Sequence, residues 1–89
     1  MKVKIFANLR EITKVKQLEG IKADDVRGLL SKLCDKFGRA FEKKVFPDGK
    51  LSEEIIILIN GIHITHLKGL DTSLNDDDEI SIFPMVYGG

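Results

Sequence analysis

Asp24-Asp25-Val26-Arg27-Gly28-Leu29-Leu30-Ser31-Lys32-Leu33-Cys34-Asp35-Lys36-Phe37-Gly38 is the stretch that decides the architecture. Val26, Leu29, Leu30, Leu33 and Phe37 fall at i, i+3, i+4, i+7 and i+11, the apolar stripe of an amphipathic helix. Asp24 suits the N-cap and Gly38 the C-terminal stop. Gly28 falls about opposite the stripe, where it costs roughly 1 kcal/mol of helix propensity relative to Ala. Close packing onto a sheet does not explain it there.

Outward from this helix the periodicity changes to two. Lys2 to Asn8 alternates, with Val3, Ile5 and Ala7 on the more apolar face and Phe6 on the other, the pattern of a half-buried strand. A polar turn from Leu9 to Lys14 leads to a second strand, Val15 to Glu19, closed by Gly20. Downstream, Phe41 to Phe46 adds a short helical turn before the turn residues Pro47-Asp48-Gly49. Ile55 to Ile59 is an apolar, largely β-branched strand, and Asn60-Gly61 suits a type I′ hairpin because both residues tolerate positive φ. A loop from Leu67 to Leu74 and an acidic turn at Asp76 to Asp78 precede the last alternating strand, Glu79 to Phe83, which Pro84 ends.

This order predicts an α+β domain over residues 1–84, a mixed sheet with one principal helix across one face, and an extended tail over 85–89. One helix leaves the other sheet face uncovered. If Val3, Ile5, Ile80 and Ile82 face the helix, Phe6 and Phe83 lie on the open face with alternate members of the Ile55 to Ile59 run. An apolar patch of that kind marks a protein interface.

Composition removes several classes of function. The 89 residues hold one modest core, and 14 basic residues balance 14 acidic ones, so there is no basic stripe for nucleic acid. The longest unbroken apolar run, Ile55 to Ile59, is far short of the roughly 20 residues a membrane-spanning helix needs. A cytoplasmic location is expected, and the single cysteine, Cys34, fits a reducing compartment.

The chemistry is expected at the end of the chain. Without Cβ atoms, Gly88-Gly89 suits an arm that enters a narrow channel, and the terminal carboxylate is ionised at neutral pH. Attack of that carboxylate on the α-phosphorus of ATP gives an acyl-adenylate; a sulfide equivalent then gives a thiocarboxylate, and a lysine amine an isopeptide bond. The chain has no phosphate-cradling G-x-x-x-x-G-K-[ST] loop, so the ATP belongs to a separate activating enzyme and no cofactor is expected on this chain.

The opening Ile5-Phe6-Ala7-Asn8-Leu9-Arg10-Glu11 and the close Leu70-Asp71-Thr72-Ser73-Leu74-Asn75-Asp76-Asp77-Asp78-Glu79-Ile80-Ser81-Ile82-Phe83-Pro84-Met85-Val86-Tyr87-Gly88-Gly89 resemble the MoaD-type small subunit of molybdopterin synthase, within the MoaD/ThiS sulfur carriers. The shared features are Phe-Ala-x-x-Arg-Glu, the acidic turn, and Phe-Pro-x-Val-x-Gly-Gly. The resemblance implies a ubiquitin-like β-grasp fold and adenylation of Gly89 by a MoeB-like enzyme. It further implies conversion to a thiocarboxylate and insertion of the tail into a MoaE-type large subunit of a heterotetramer, which holds the catalytic residues and passes sulfur to precursor Z. Phe6 and Phe83 match partner-binding positions of the family, with Gly88 and Tyr87 in the tail. Asp77 stands where the family pattern has Gly, and Tyr87 is bulkier than its usual counterpart. Two other readings use the same tail: a protein modifier joined to lysines through Gly89, and a carrier for thiamine or another sulfur pathway. Thiamine carriers are generally shorter and lack the Phe-Ala-x-x-Arg-Glu opening.

Other chemistry-bearing residues read as structural. Cys34 lies next to the apolar stripe, as packing cysteines do. His63 and His66 with Asp71 fall around a loop rather than on the fixed frame that a metal site needs. Asp76, Asp77, Asp78 and Glu79 lack the spaced ligands of a calcium loop. No catalytic residue and no metal ligand is expected.

Overall fold

In the computed structural model, residues 1–85 are described. The chain runs β1 (Lys2–Ile5), α1 (Leu9–Thr13), β2 (Gln17–Glu19), α2 (Val26–Phe37), α3 (Arg39–Val45), β3 (Ile55–Ile59), β4 (Ile62–His63) and β5 (Glu79–Pro84), with 3-10 turns at Ile64–His66 and Gly69–Asp71. The strands form one mixed sheet in the order β2-β1-β5-β3-β4. β1 and β5 are parallel, and the other neighbours are antiparallel. This is the α+β architecture that the periodicities predict.

The core lies between α2 and one sheet face. Val26, Leu29, Leu30 and Leu33 of α2 are fully buried, as are Val3, Ile5, Ile57, Ile80 and Ile82 from the strands. Removing each such side chain from water contributes about 1.5–3 kcal/mol before chain entropy is counted. Phe37, the last member of the stripe, is partly buried and meets Phe41 of α3 with ring centroids 5.6 Å apart. Phe41 and Val45 are fully buried, so the short helical turn expected at 41–46 is a two-turn helix that seals the end of the core.

Three local expectations are corrected. Residues 9–13 form α1 rather than a polar turn: Leu9 and Thr13 are buried and Ile12 packs against the core, an i, i+3, i+4 face hidden by its brevity. β1 accordingly ends at Ile5, and Ala7 turns away with φ 55° instead of extending the apolar face. The N-cap of α2 is Asp25, not Asp24. Asp25 has extended backbone, and its carboxylate accepts the Gly28 N–H at 2.8 Å. Asp24 offers its backbone instead, its carbonyl accepting from Leu74 N–H at 3.0 Å.

The turns follow the sequence closely. Asn60 and Gly61 have φ of 51° and 86°, the pair of positive values a type I′ hairpin requires. Asn60 also crosses to the acidic turn: its Nδ2 donates to Asp78 Oδ1 at 2.9 Å, and its Oδ1 accepts from Glu79 N–H at 2.9 Å. Asp78 Oδ2 accepts from Asn75 N–H at 2.8 Å. Asp77, in the place of the family glycine, keeps a negative φ, so this turn makes no demand for a left-handed residue there.

The cap explains Gly28. A Cβ built at this position would lie 3.2 Å from Asp25 Oδ1, so the glycine leaves room for the capping carboxylate. Gly28→Ala is expected to stabilise by less than the roughly 1 kcal/mol of helix propensity gained. Asp25→Ala alone is expected to cost about 1 kcal/mol. Once Asp25 is Ala, Gly28→Ala should recover its full propensity gain. A double-mutant cycle by urea denaturation checks this, and equal Gly28→Ala effects in both backgrounds would exclude crowding of the cap.

Candidate functional site

The sheet face turned away from α2 carries the half-buried side chains of β1, β5 and β3. Ile56 pairs with Phe83 and Leu58 with Ser81 across β3 and β5. Phe6 follows β1, its N–H donating to Ile82 O at 3.1 Å. The Phe6 and Phe83 rings meet edge to face, with centroids 5.9 Å apart and planes at 88°. Such a pair contributes about 0.5–1.5 kcal/mol beyond its buried area. Beside it is an open concavity of about 410 Å³ lined by Phe6, Ala7, Leu58, Ser81, Phe83 and Pro84. Ser81, short between Phe83 and the leucine across the ladder, leaves this hollow. The uncovered patch expected from one-sided helix packing is therefore present, and Phe6 and Phe83 form its centre.

The backbone turns out of the face at Ala7. Its carbonyl accepts the Arg10 N–H at 3.1 Å and starts α1. This turn returns Arg10 over Phe6: Nε donates to Ile5 O at 2.6 Å, and Cζ stands 5.4 Å from the Phe6 ring centroid. The sequence carried Arg10 only as a motif letter. Phe6 precedes α1 and the left-handed turn at Ala7, so no helical spacing in the sequence pairs it with Arg10. On β1, level with Ser81, Lys4 Nζ lies 2.5 Å from Glu79 Oε1. Hydrogen bonding to the Lys4 ammonium, then its charge, holds the Glu79 carboxyl below its usual range. Both groups are exposed, so the pair adds little stability.

The residues that the sequence marks as structural are held elsewhere. His63 Nδ1 accepts the Thr65 N–H at 3.1 Å and caps the turn Ile64–His66. Asp71 pairs with Arg27 at 3.1 Å. Among the described residues no three His, Cys, Asp or Glu side chains come together as a metal cluster. Cys34 borders a shallow hollow between α2 and α3, where opposite charges such as Arg39 and Glu42 mix. Tyr87, Gly88 and Gly89 lie outside the described residues.

Burial first, then Glu42 and Asp35, pushes the Cys34 thiol above its usual range. The thiol therefore stays protonated at neutral pH and is a poor nucleophile. Alkylation by iodoacetamide is expected to reach half its limiting rate at higher pH in the folded protein than in the chain unfolded by guanidinium. A lower midpoint in the folded protein would contradict this.

The sequence pattern of the ThiS family matches residues 3–89. A proposed sulfur carrier protein of Archaeoglobus fulgidus is 33% identical over 89 residues, covering 100% of this chain and 98% of that one. The solution structure of small archaeal modifier protein 1 from Methanosarcina acetivorans is 43% identical, with a TM-score of 0.87 over 99% of this chain and 94% of that one. A chain of the Amycolatopsis orientalis BexX/CysO complex is 25% identical, with a TM-score of 0.84 over 99% of this chain and 98% of its own. Sequence pattern and fold agree over the same span, and the chain belongs to the ThiS family of ubiquitin-like sulfur carriers and modifiers with a β-grasp fold.

Proposed function

We propose that this protein is a sulfur carrier that works through the carboxylate of Gly89. In the active site of a separate MoeB-like enzyme, that carboxylate attacks the α-phosphorus of ATP and pyrophosphate leaves. The resulting acyl-adenylate activates the carbonyl. A hydrosulfide equivalent adds there, AMP leaves, and the product is a thiocarboxylate. The β-grasp domain supplies no reacting group. It offers the Phe6–Phe83 face for docking and delivers the tail, in which Gly88 and Gly89 pass where a side chain would not.

The observation that carries this reading is that β5 holds both Phe83 of the apolar face and the start of the tail. Pro84 pairs with Ile55, and the Met85 N–H donates to Glu54 O at 2.5 Å. A partner seated on the face thus receives the arm from a fixed point at its edge. The Phe-Ala-x-x-Arg-Glu opening supports the pterin pathway, with a MoaE-type large subunit taking the thiocarboxylate to precursor Z. A second reading, a modifier joined to lysines, is favoured by the 43% identity to small archaeal modifier protein 1 and by 30% identity over 95 residues to small archaeal modifier protein 3 of Haloferax volcanii.

Intact mass after incubation with ATP, a MoeB-like enzyme and a sulfide source tests both. A gain of about 16 Da, one oxygen exchanged for sulfur, is expected, and it should vanish when Gly89 is deleted. Phe83→Ala should slow the gain by about 30-fold, the size of an interface hot spot. No gain with an enzyme active on its own carrier would refute the carrier reading. Tail-dependent conjugates of higher mass in cells would select the modifier.

A further inference from the structure

Arg10 stands at the edge of the apolar face, over the Phe6 ring. Among the described residues the ion pairs are Lys4–Glu79 and Arg27–Asp71, and Arg10 takes part in neither. Its Nε is occupied by Ile5 O, while the guanidinium lies over the Phe6 ring, and the residue is only partly exposed. Of the two lysines that β1 turns to this face, Lys4 is already paired with Glu79, and Lys2 lies level with the same carboxylate, farther from Phe6 along the strand.

A guanidinium fixed at Nε and stacked on a ring has lost most of its side-chain freedom before any partner arrives. Its terminal nitrogens, which have no hydrogen-bond acceptor among the described residues, are left as an oriented pair of donors. That pair matches a carboxylate, with which an arginine forms two parallel hydrogen bonds. The neighbouring hollow lined by Phe6, Leu58 and Phe83 is apolar, so a partner that fills it also strips water from Arg10 and strengthens the attraction.

We propose that Arg10 is a preset docking cation, pairing with a carboxylate that the activating enzyme presents beside the apolar side chain it seats in the Phe6–Phe83 hollow. This inference rests on the reading of the chain as a substrate of an adenylating enzyme, and it adds the chemistry by which the two recognise each other. Arg10 takes no part in the reaction, so its effect falls on KM and not on kcat.

The test is ATP-dependent adenylation, followed by pyrophosphate release, with the MoeB-like enzyme and the chain as the varied substrate. Arg10→Lys, Arg10→Gln and Arg10→Glu are compared with wild type and with Phe6→Ala, each verified as folded by circular dichroism. Arg10→Gln should raise KM about tenfold or more, as loss of a charge-assisted hydrogen bond does, with kcat within twofold. Arg10→Lys should raise KM less than Arg10→Gln, and Arg10→Glu more. Wild-type KM should rise with salt more steeply than that of Arg10→Gln. Equal losses for Lys, Gln and Glu would overturn the proposal, because they would reduce Arg10 to a brace for Phe6. An unchanged KM for Arg10→Gln beside a raised KM for Phe6→Ala would overturn it too while leaving the docking face intact. If Phe6→Ala were also silent, the face itself would fall and the inference with it.

Discussion

Hydrogen bonding of β5 on both edges is the constraint on which the molecule depends. The strand formed by the last described residues lies at the centre of the sheet, parallel to β1 and antiparallel to β3. Its inward residues, Ile80 and Ile82, are fully buried against α2. Neither half of the sheet is complete without it, since β2-β1 and β3-β4 would otherwise be two separate hairpin-like pairs, each too small to be stable alone. The pairing joins the first and last segments of the chain, and everything that leaves the domain after Pro84 leaves from its most firmly held strand.

The second determinant is the inequality between one sheet and one long helix. α2 spans 12 residues and covers one face; α1, α3 and the two 3-10 turns close the ends and sides of the same core. The period-two pattern of β3 and β5 then dictates the composition of the free face. Ile56 and Leu58 are as apolar as Ile55, Ile57 and Ile59, although only the latter three are buried. A strand whose sole task was to line the core would carry polar residues at those outward positions. That Ile56 and Leu58 stand there instead, beside Phe83 of β5 and the Phe6 ring, argues for a surface shaped by association.

Much of this was legible in the residues themselves. The α2 stripe, the Asn60-Gly61 hairpin and the shared face of Phe6 and Phe83 follow from periods of 3.6 and 2 and from turn chemistry that leaves few alternatives, whereas Pro84, expected to stop β5, pairs with Ile55 inside it. What escaped was decided by tertiary contact. Five residues of α1 are too few to show a helical period, and their helix exists because Leu9 has a core to enter. The choice between Asp24 and Asp25 as cap turns on which backbone is drawn to Thr72 and Leu74 in a loop nearly 50 residues away. Gly28 made sense only when the Asp25 carboxylate was seen above it. Arg10 was visible as a letter, but its hold on Ile5 O and Phe6 needed the turn at Ala7.

The hydrogen bond from Met85 to Glu54 sets a length scale. Gly89 is four residues farther along, and a chain advances at most about 3.3–3.6 Å per residue, so with the N–Cα–C of Gly89 itself its carboxyl carbon lies no more than about 17 Å from this anchor. The domain is in that sense a ruler with a fixed zero. Any protein that seats the open face must hold its reacting groups within that distance of the sheet edge, or undo the last rung of the ladder to gain one residue more. Partners of unrelated fold are thereby held to a common depth of reaction site.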